Sequence, residues 1–279
     1  MVSAAVGRLL AARGRRVLAI EFDPRENLHH LRDVPPSGGD ITAAGGGLVL
    51  QNLQPHQVLD ELVRERLKLG MLARKVLTSP VYRHVAEGAP GLKETGVLGR
   101  AMRLIEGHGP RGLRRPDLVV LDAPATGHGV SLLHALTLVA RVVRSGPVGH
   151  IASEIASFVG DRKHTGVITV TLAEEMPVRE CLELISGLAE TLARRAEAIV
   201  VNGLYPPLDR SAAAEDDPAV ALFRRRRKIN ETQLARLRTR WNGPLVELPF
   251  LPVDRGPELT REVTLRLGRD LDAVSKELA

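Results

Sequence analysis

Four apolar residues in succession, Leu118-Val119-Val120-Leu121, run directly into an aspartate, Asp122. A run this short and uninterrupted reads as a buried strand. It delivers Asp122 to the strand's carboxyl end, ahead of a loop bounded by Pro124 and Gly127. In open α/β sheets that end is where ligands gather. The same residues also allow a plainer reading, a buried strand followed by an ordinary turn.

The start of the chain supports an α/β architecture. Val2, Ala5, Val6, Leu9 and Leu10 recur at helical spacing over residues 2–13, and Gly14 suits a C-terminal cap. A strand at 17–22 follows at once, so the helix reads as the crossover of a βαβ unit, which requires a strand before it as well as after it. Residues 34–47, rich in Pro and Gly, read as a loop, and Gly45-Gly46-Gly47 lacks the spacing of a dinucleotide fingerprint. A short strand is expected at 48–51. Residues 55–109 read as helical, with one apolar stripe on Val58, Leu62, Leu69, Leu72 and Val76 and another on Leu98, Ala101, Met102 and Ile105. After the Asp122 loop, Leu132, Leu133, Leu136, Val139 and Val143 predict another helix, and residues 145–166 give no clear pattern. Strands at 167–171, 198–201 and 245–248 alternate with helices around Cys181, at 228–241 and at the C-terminus; residues 207–222 read as a loop. Cys181 lies on an apolar helical face and reads as a core residue.

Composition narrows the function. Aromatic residues make up 3% of the chain, which argues against a stacking platform for single-stranded nucleic acid. A single cysteine rules out an internal disulfide or a multi-thiolate metal cluster within one chain. No apolar run approaches the roughly 20 residues of a membrane span, and no signal pattern is present, so a cytoplasmic protein is expected. The net charge of +6 is concentrated in Arg224-Arg-Arg-Arg-Lys228, with Arg236, Arg238 and Arg240 beyond it. That block reads first as a solvated helix face; contact with nucleic acid or an anionic membrane is the alternative.

Several segments, in order, resemble the ArsA-type ATPase family, the arsenite-pump and tail-anchored-protein-targeting ATPases. They are Val17 to Leu28 with Asp23-Pro24-Arg25-Glu26-Asn27-Leu28, Asp122 to Gly129 with Thr126-Gly127-His128, Thr171 to Glu180, Val200-Val-Asn-Gly203, and Leu248 to Gly256. The resemblance implies a P-loop NTPase-type, mostly parallel sheet with helices on both faces, forming a single domain over 1–279 with a helical insertion at 55–109 for a client. It implies ATP and Mg2+ as cofactors, with Asp122 on the metal shell and Asp23 managing the attacking water. Pro24, Asn27, Pro124, Thr126, Gly127 and His128 would belong to the two switches, Asn202 would read the adenine edge, and Pro252, Val253 and Asp254 would pack on the base.

The resemblance further implies a homodimer that handles a membrane-protein client or works with a membrane transporter. The family's Gly-Lys-Gly-Gly-Val-Gly-Lys-Thr phosphate loop and first strand have no counterpart ahead of the first helix, so a truncated or mis-started chain is expected. The alternative is a catalytically inactive, loop-less partner of a complete ATPase. Neither the several cysteines of the arsenite pumps nor the Cys-x-x-Cys zinc site of the targeting members has a match here.

Overall fold

The computed structural model describes residues 1–22, 25–66, 70–80, 92–110, 112–123, 147–208 and 217–277. They form two compact units, Met1–Thr165 and Gly166–Ala279, each an α/β layer structure.

The first unit is built on β1 (Val17–Glu21), which pairs in parallel with β3 (Leu48–Asn52) on one side and with β4 (Leu118–Asp122) on the other. All five residues of β1 are buried, and their alternation divides two cores. Val17 and Ala19 join Ala4, Ala11, Leu28, Leu31, Leu48 and Leu50, under α1 (Val2–Ala12) and α2 (Asn27–Arg32). Leu18 and Ile20 face the other way, onto Leu53, Val58, Val97 and Leu104, under α3 (Pro55–Arg66) and α5 (Leu92–Ile105). Helices therefore cover both faces, as the apolar continuity of the strand requires. Small residues let α1 approach the sheet: a Cβ on Gly7 would stand 3.2 Å from a Leu48 methyl.

The 34–47 stretch is more ordered than a loop. It contains β2 (Ile41–Ala43), which returns antiparallel to β3 through a turn holding Gly45, Gly46 and Gly47, all at positive φ. The three glycines thus serve a hairpin, because that backbone region is costly for any residue with a Cβ. The helical region at 55–109 is present as α3, α4 (Gly70–Leu77) and α5. Its buried positions include Val58, Leu59, Val97 and Leu104, while Leu98, Ala101, Met102 and Ile105 are half-buried, so the second expected stripe lies beside the packed one. The unreadable stretch at 145–166 contains α6 (Pro147–Gly160), which packs on α5 and buries Ile155 and Val159. The helix expected on Leu132 to Val143 lies outside the described residues.

The second unit has a parallel three-stranded sheet, β5 (Ile168–Leu172), β6 (Ala198–Leu204) and β7 (Leu245–Pro249), in that order. One face is covered by α7 (Glu175–Leu192) and α8 (Pro218–Arg240) through Val178, Cys181, Ile199, Val201 and Leu237. Cys181 is buried among them, and burial pushes its thiol up to about 12. The C-terminal helix α9 (Pro257–Glu277) packs on β7 and buries Val263 and Leu267. Two boundaries differ from expectation. α8 begins at Pro218 rather than 228, capped by the Asp217 side chain on the Ala219 amide, so it takes in the end of the expected 207–222 loop. β6 ends at Leu204 rather than 201, running on through Asn202-Gly203 with a register shift and Gly203 at φ +69.

Candidate functional site

Parallel pairing places three polar residues in one row at the carboxyl edge of the first sheet. Glu21 ends β1 and stands in register with Asn52 at the end of β3 and Asp122 at the end of β4. The Ser3 hydroxyl, in the first turn of α1, donates to Asp122 Oδ1 at 2.5 Å. A carboxylate and a hydroxyl are thus side by side at a strand end, a donor set of hard oxygens that suits Mg2+.

Glu21 is buried in a strand otherwise wholly apolar. Burial first, then the charge of Asp122, raises its carboxyl above the ordinary range against the opposing Leu28 amide and His29. Its Oε1 accepts the Leu28 amide at 2.9 Å, which ties the first turn of α2 to β1. His29, fully buried, places Nδ1 3.5 Å from Glu21 Oε1 and 3.4 Å from Glu26 Oε2. Glu26 precedes α2 in the left-handed region, φ 47, and reaches the next loop. Its two oxygens accept the amides of Ser37 at 2.6 Å and Gly38 at 2.9 Å. Burial works against its charge, but those amides hold the Glu26 carboxyl below its ordinary value. Two glutamates and a histidine therefore clamp the segment that follows β1.

At the carboxyl edge of the second sheet, Asn202 sits half-buried where β6 bulges. Pro252, Val253 and Asp254 follow the end of the neighbouring strand β7, with Pro252 and Asp254 exposed. The segment after β7 is fixed by the Phe250 amide donating to the Leu204 carbonyl at 2.7 Å, and by Phe250 stacked on Tyr205 with centroids 5.6 Å apart. Buried Asn230 of α8 supports the same edge, accepting the Tyr205 amide and donating to the Ala173 carbonyl, both at 2.9 Å.

Of the residues singled out from sequence, Asp122 and Asn27 stand at the edge of the first sheet, and Asn202 and Pro252 to Asp254 at that of the second. Asp23, Pro24, Pro124, Thr126, Gly127 and His128 lie outside the described residues. Sequence reading missed Ser3, Glu21, Glu26 and His29. An acid closing the run Val-Leu-Ala-Ile-Glu is a signal for Glu21; Ser3 and His29 give none, since their roles depend on contacts 119 and eight residues away.

The sequence model of the anion-transporting ATPases matches residues 1–148. The chain therefore belongs to the anion-transporting (ArsA-type) ATPase family. It is also similar to the ATPase BagA of Mycobacterium tuberculosis and to an ATPase-named protein of Mycobacterium bovis, 30% identical to each over 225 residues. That match takes in 77% of this chain and 66% of each relative's length. No helix among the described residues is long and apolar enough to cross a membrane.

Proposed function

We propose that this protein binds and hydrolyses ATP with Mg2+, using the edge of the first sheet for the metal and phosphates. The observation that carries the reading is Asp122, set at the end of a parallel strand with the Ser3 hydroxyl on its oxygen and the end of β1 one strand away. Asp122 and Ser3 would hold the metal, directly or through its water. Mg2+ would supply positive charge against the phosphate oxygens. Asp23, two residues beyond β1 in sequence, would orient the attacking water, and Asn27 would couple that segment to nucleotide state. Asn202 offers both a donor and an acceptor for the adenine edge, and Pro252, Val253 and Asp254 would pack on the base. Pro24, Pro124, Thr126, Gly127 and His128 would complete the switches.

A single domain over 1–279, a homodimer, a cytoplasmic site of action and a membrane-protein or transporter partner remain part of this reading through the family resemblance. The test is ATP binding by calorimetry and phosphate release, with and without Mg2+, on protein isolated from its own source. Asp122→Asn should abolish the Mg2+ dependence of both while the unfolding midpoint stays near that of the parent. Binding without turnover in the parent would instead identify the inactive partner of a complete ATPase. Mg2+ dependence that survives Asp122→Asn would remove the aspartate from the metal shell.

A further inference from the structure

The chain's positive excess is carried by one helix. α8 has eight Arg and Lys residues against one acid, Glu231, which exceeds the net charge of the entire chain, +6. Its cations fall into two groups. Arg226 pairs with Glu174 at 3.3 Å, Arg227 with Glu231 at 2.8 Å, and Arg238 with Glu247 at 2.5 Å. Arg224, Arg225, Lys228, Arg236 and Arg240 are exposed and have no acidic partner among the described residues.

The division follows the helix surface. With 3.6 residues per turn, the five unpaired cations fall within an arc of about 160° and extend over about 24 Å of helix. The packed residues Leu234, Leu237 and Trp241 are centred on the opposite side. The paired arginines flank that packed side, so the neutralised charges lie nearer the core and the unpaired ones face solvent. Between the unpaired cations stand the small residues Ala221, Thr232, Ala235 and Thr239 and the half-buried Ile229, with exposed Leu222 at the rim of the arc. Such a face does nothing for the helix itself, because Arg224 with Lys228 and Arg236 with Arg240 are like charges four residues apart.

We propose that the outer face of α8 docks on an anionic phospholipid surface. A band of cations along one side of a helix, without aromatic side chains, fits a surface of headgroup phosphates; it lacks the stacking groups that hold single-stranded nucleic acid. Leu222 can enter the headgroup boundary where a plain ion pair could not. The inference does not depend on ATP turnover, since it concerns a different surface and its test reads binding.

The experiment is flotation of the full chain with vesicles of phosphatidylcholine alone and with phosphatidylglycerol added. Partition should require the anionic lipid and weaken as salt rises. Each cation near the surface contributes about a fivefold change in partition, so Arg224→Gln with Lys228→Gln should lower it about 25-fold, and Arg236→Gln with Arg240→Gln by a similar factor. Arg226→Gln with Arg238→Gln, which removes cations that flank the packed side and are already paired with Glu174 and Glu247, should change it far less. Circular dichroism should report unchanged helix content, glutamine being a good helix former. Equal losses in both kinds of variant would mean that net charge alone drives partition, and would overturn the proposal. So would retention of partition without all five cations, or binding by those cations to duplex DNA but not to vesicles.

Discussion

The Glu26 carboxylate holds two segments together from a strained backbone position, and its removal should separate those two effects. It accepts the Ser37 and Gly38 amides while its own residue adopts φ 47. A hydrogen bond to a charged acceptor contributes about 1.5 to 3 kcal/mol when buried. Ser37 is half-buried and Gly38 exposed, so water takes over part of that role once the acceptor is gone. Glu26→Ala should therefore cost about 2 to 3 kcal/mol for the two bonds together. Glu26→Gly loses the same bonds but relieves the left-handed conformation, and should recover about 1 kcal/mol relative to alanine. Urea unfolding measures the cost, and hydrogen exchange at the Ser37 and Gly38 amides localises it. Because the carboxyl is held below its ordinary value of 4.5, its contribution is full above that pH and is lost as pH falls through the lower folded value. The alanine variant should accordingly show a shallower loss of stability on acidification. Unchanged exchange at both amides, or a glycine variant less stable than the alanine one, would refute the clamp.

Other outcomes follow from single contacts. Asp117, bonded to the Arg16 guanidinium and amide, is held at about 2, so carboxyl NMR should find it ionised down to that pH and Arg16→Gln should return it toward 3.8. The buried Cys181 thiol, pushed up to about 12, should resist iodoacetamide at mildly alkaline pH and react fully in guanidinium. Gly203→Ala has room, its Cβ 3.7 Å from a Leu172 methyl, but must keep φ +69; a loss of about 1 kcal/mol in urea unfolding is expected, and none would mean the bulge relaxes. Leu237→Ala, fully buried on the inner face of α8, should cost about 2 to 5 kcal/mol by the same assay.

The strands were the most legible part of the chain because burial on both faces writes an unbroken apolar run. Val17 to Glu21 and Ala198 to Val201, buried throughout, appear where such runs stand; Leu118 to Asp122 also forms a strand, but a half-buried one with Leu118 exposed rather than the buried strand its run suggests. β2 was not legible: Ile41-Thr42-Ala43 is short, lies at the sheet edge between glycine-rich segments, and is only partly buried. The first ten residues of α8 are not legible for a related reason. Its first turns carry five consecutive cations and little apolar period, so the helix there is supported by the Asp217 cap and by propensity rather than by a buried stripe.

The candidate site divides in the same way. Asp122 could be found because a polar residue closing an apolar run is a local event. Glu21 carries the same local signal, but its place beside Asp122 carries none, because parallel register sets that proximity: Glu21 meets Asp122 and Asn52 across strands separated by helices, and Ser3 reaches Asp122 from α1. That row has a consequence for charge. A second carboxylate in register beside Asp122, buried and raised in pKa by burial and by that neighbour, limits how much negative charge the edge holds without a cation. A divalent ion at Asp122 would relieve Glu21 electrostatically, and through the Leu28 amide bonded to Glu21 it would act on the segment that begins α2. If Asp122 holds the metal as proposed, metal occupancy and the position of that segment would be coupled through one buried glutamate. Glu21→Gln, which keeps the shape and removes the charge, should weaken the dependence of hydrogen exchange at the Leu28 amide on Mg2+ and nucleotide. An undiminished response in that variant would show that the coupling runs through another route.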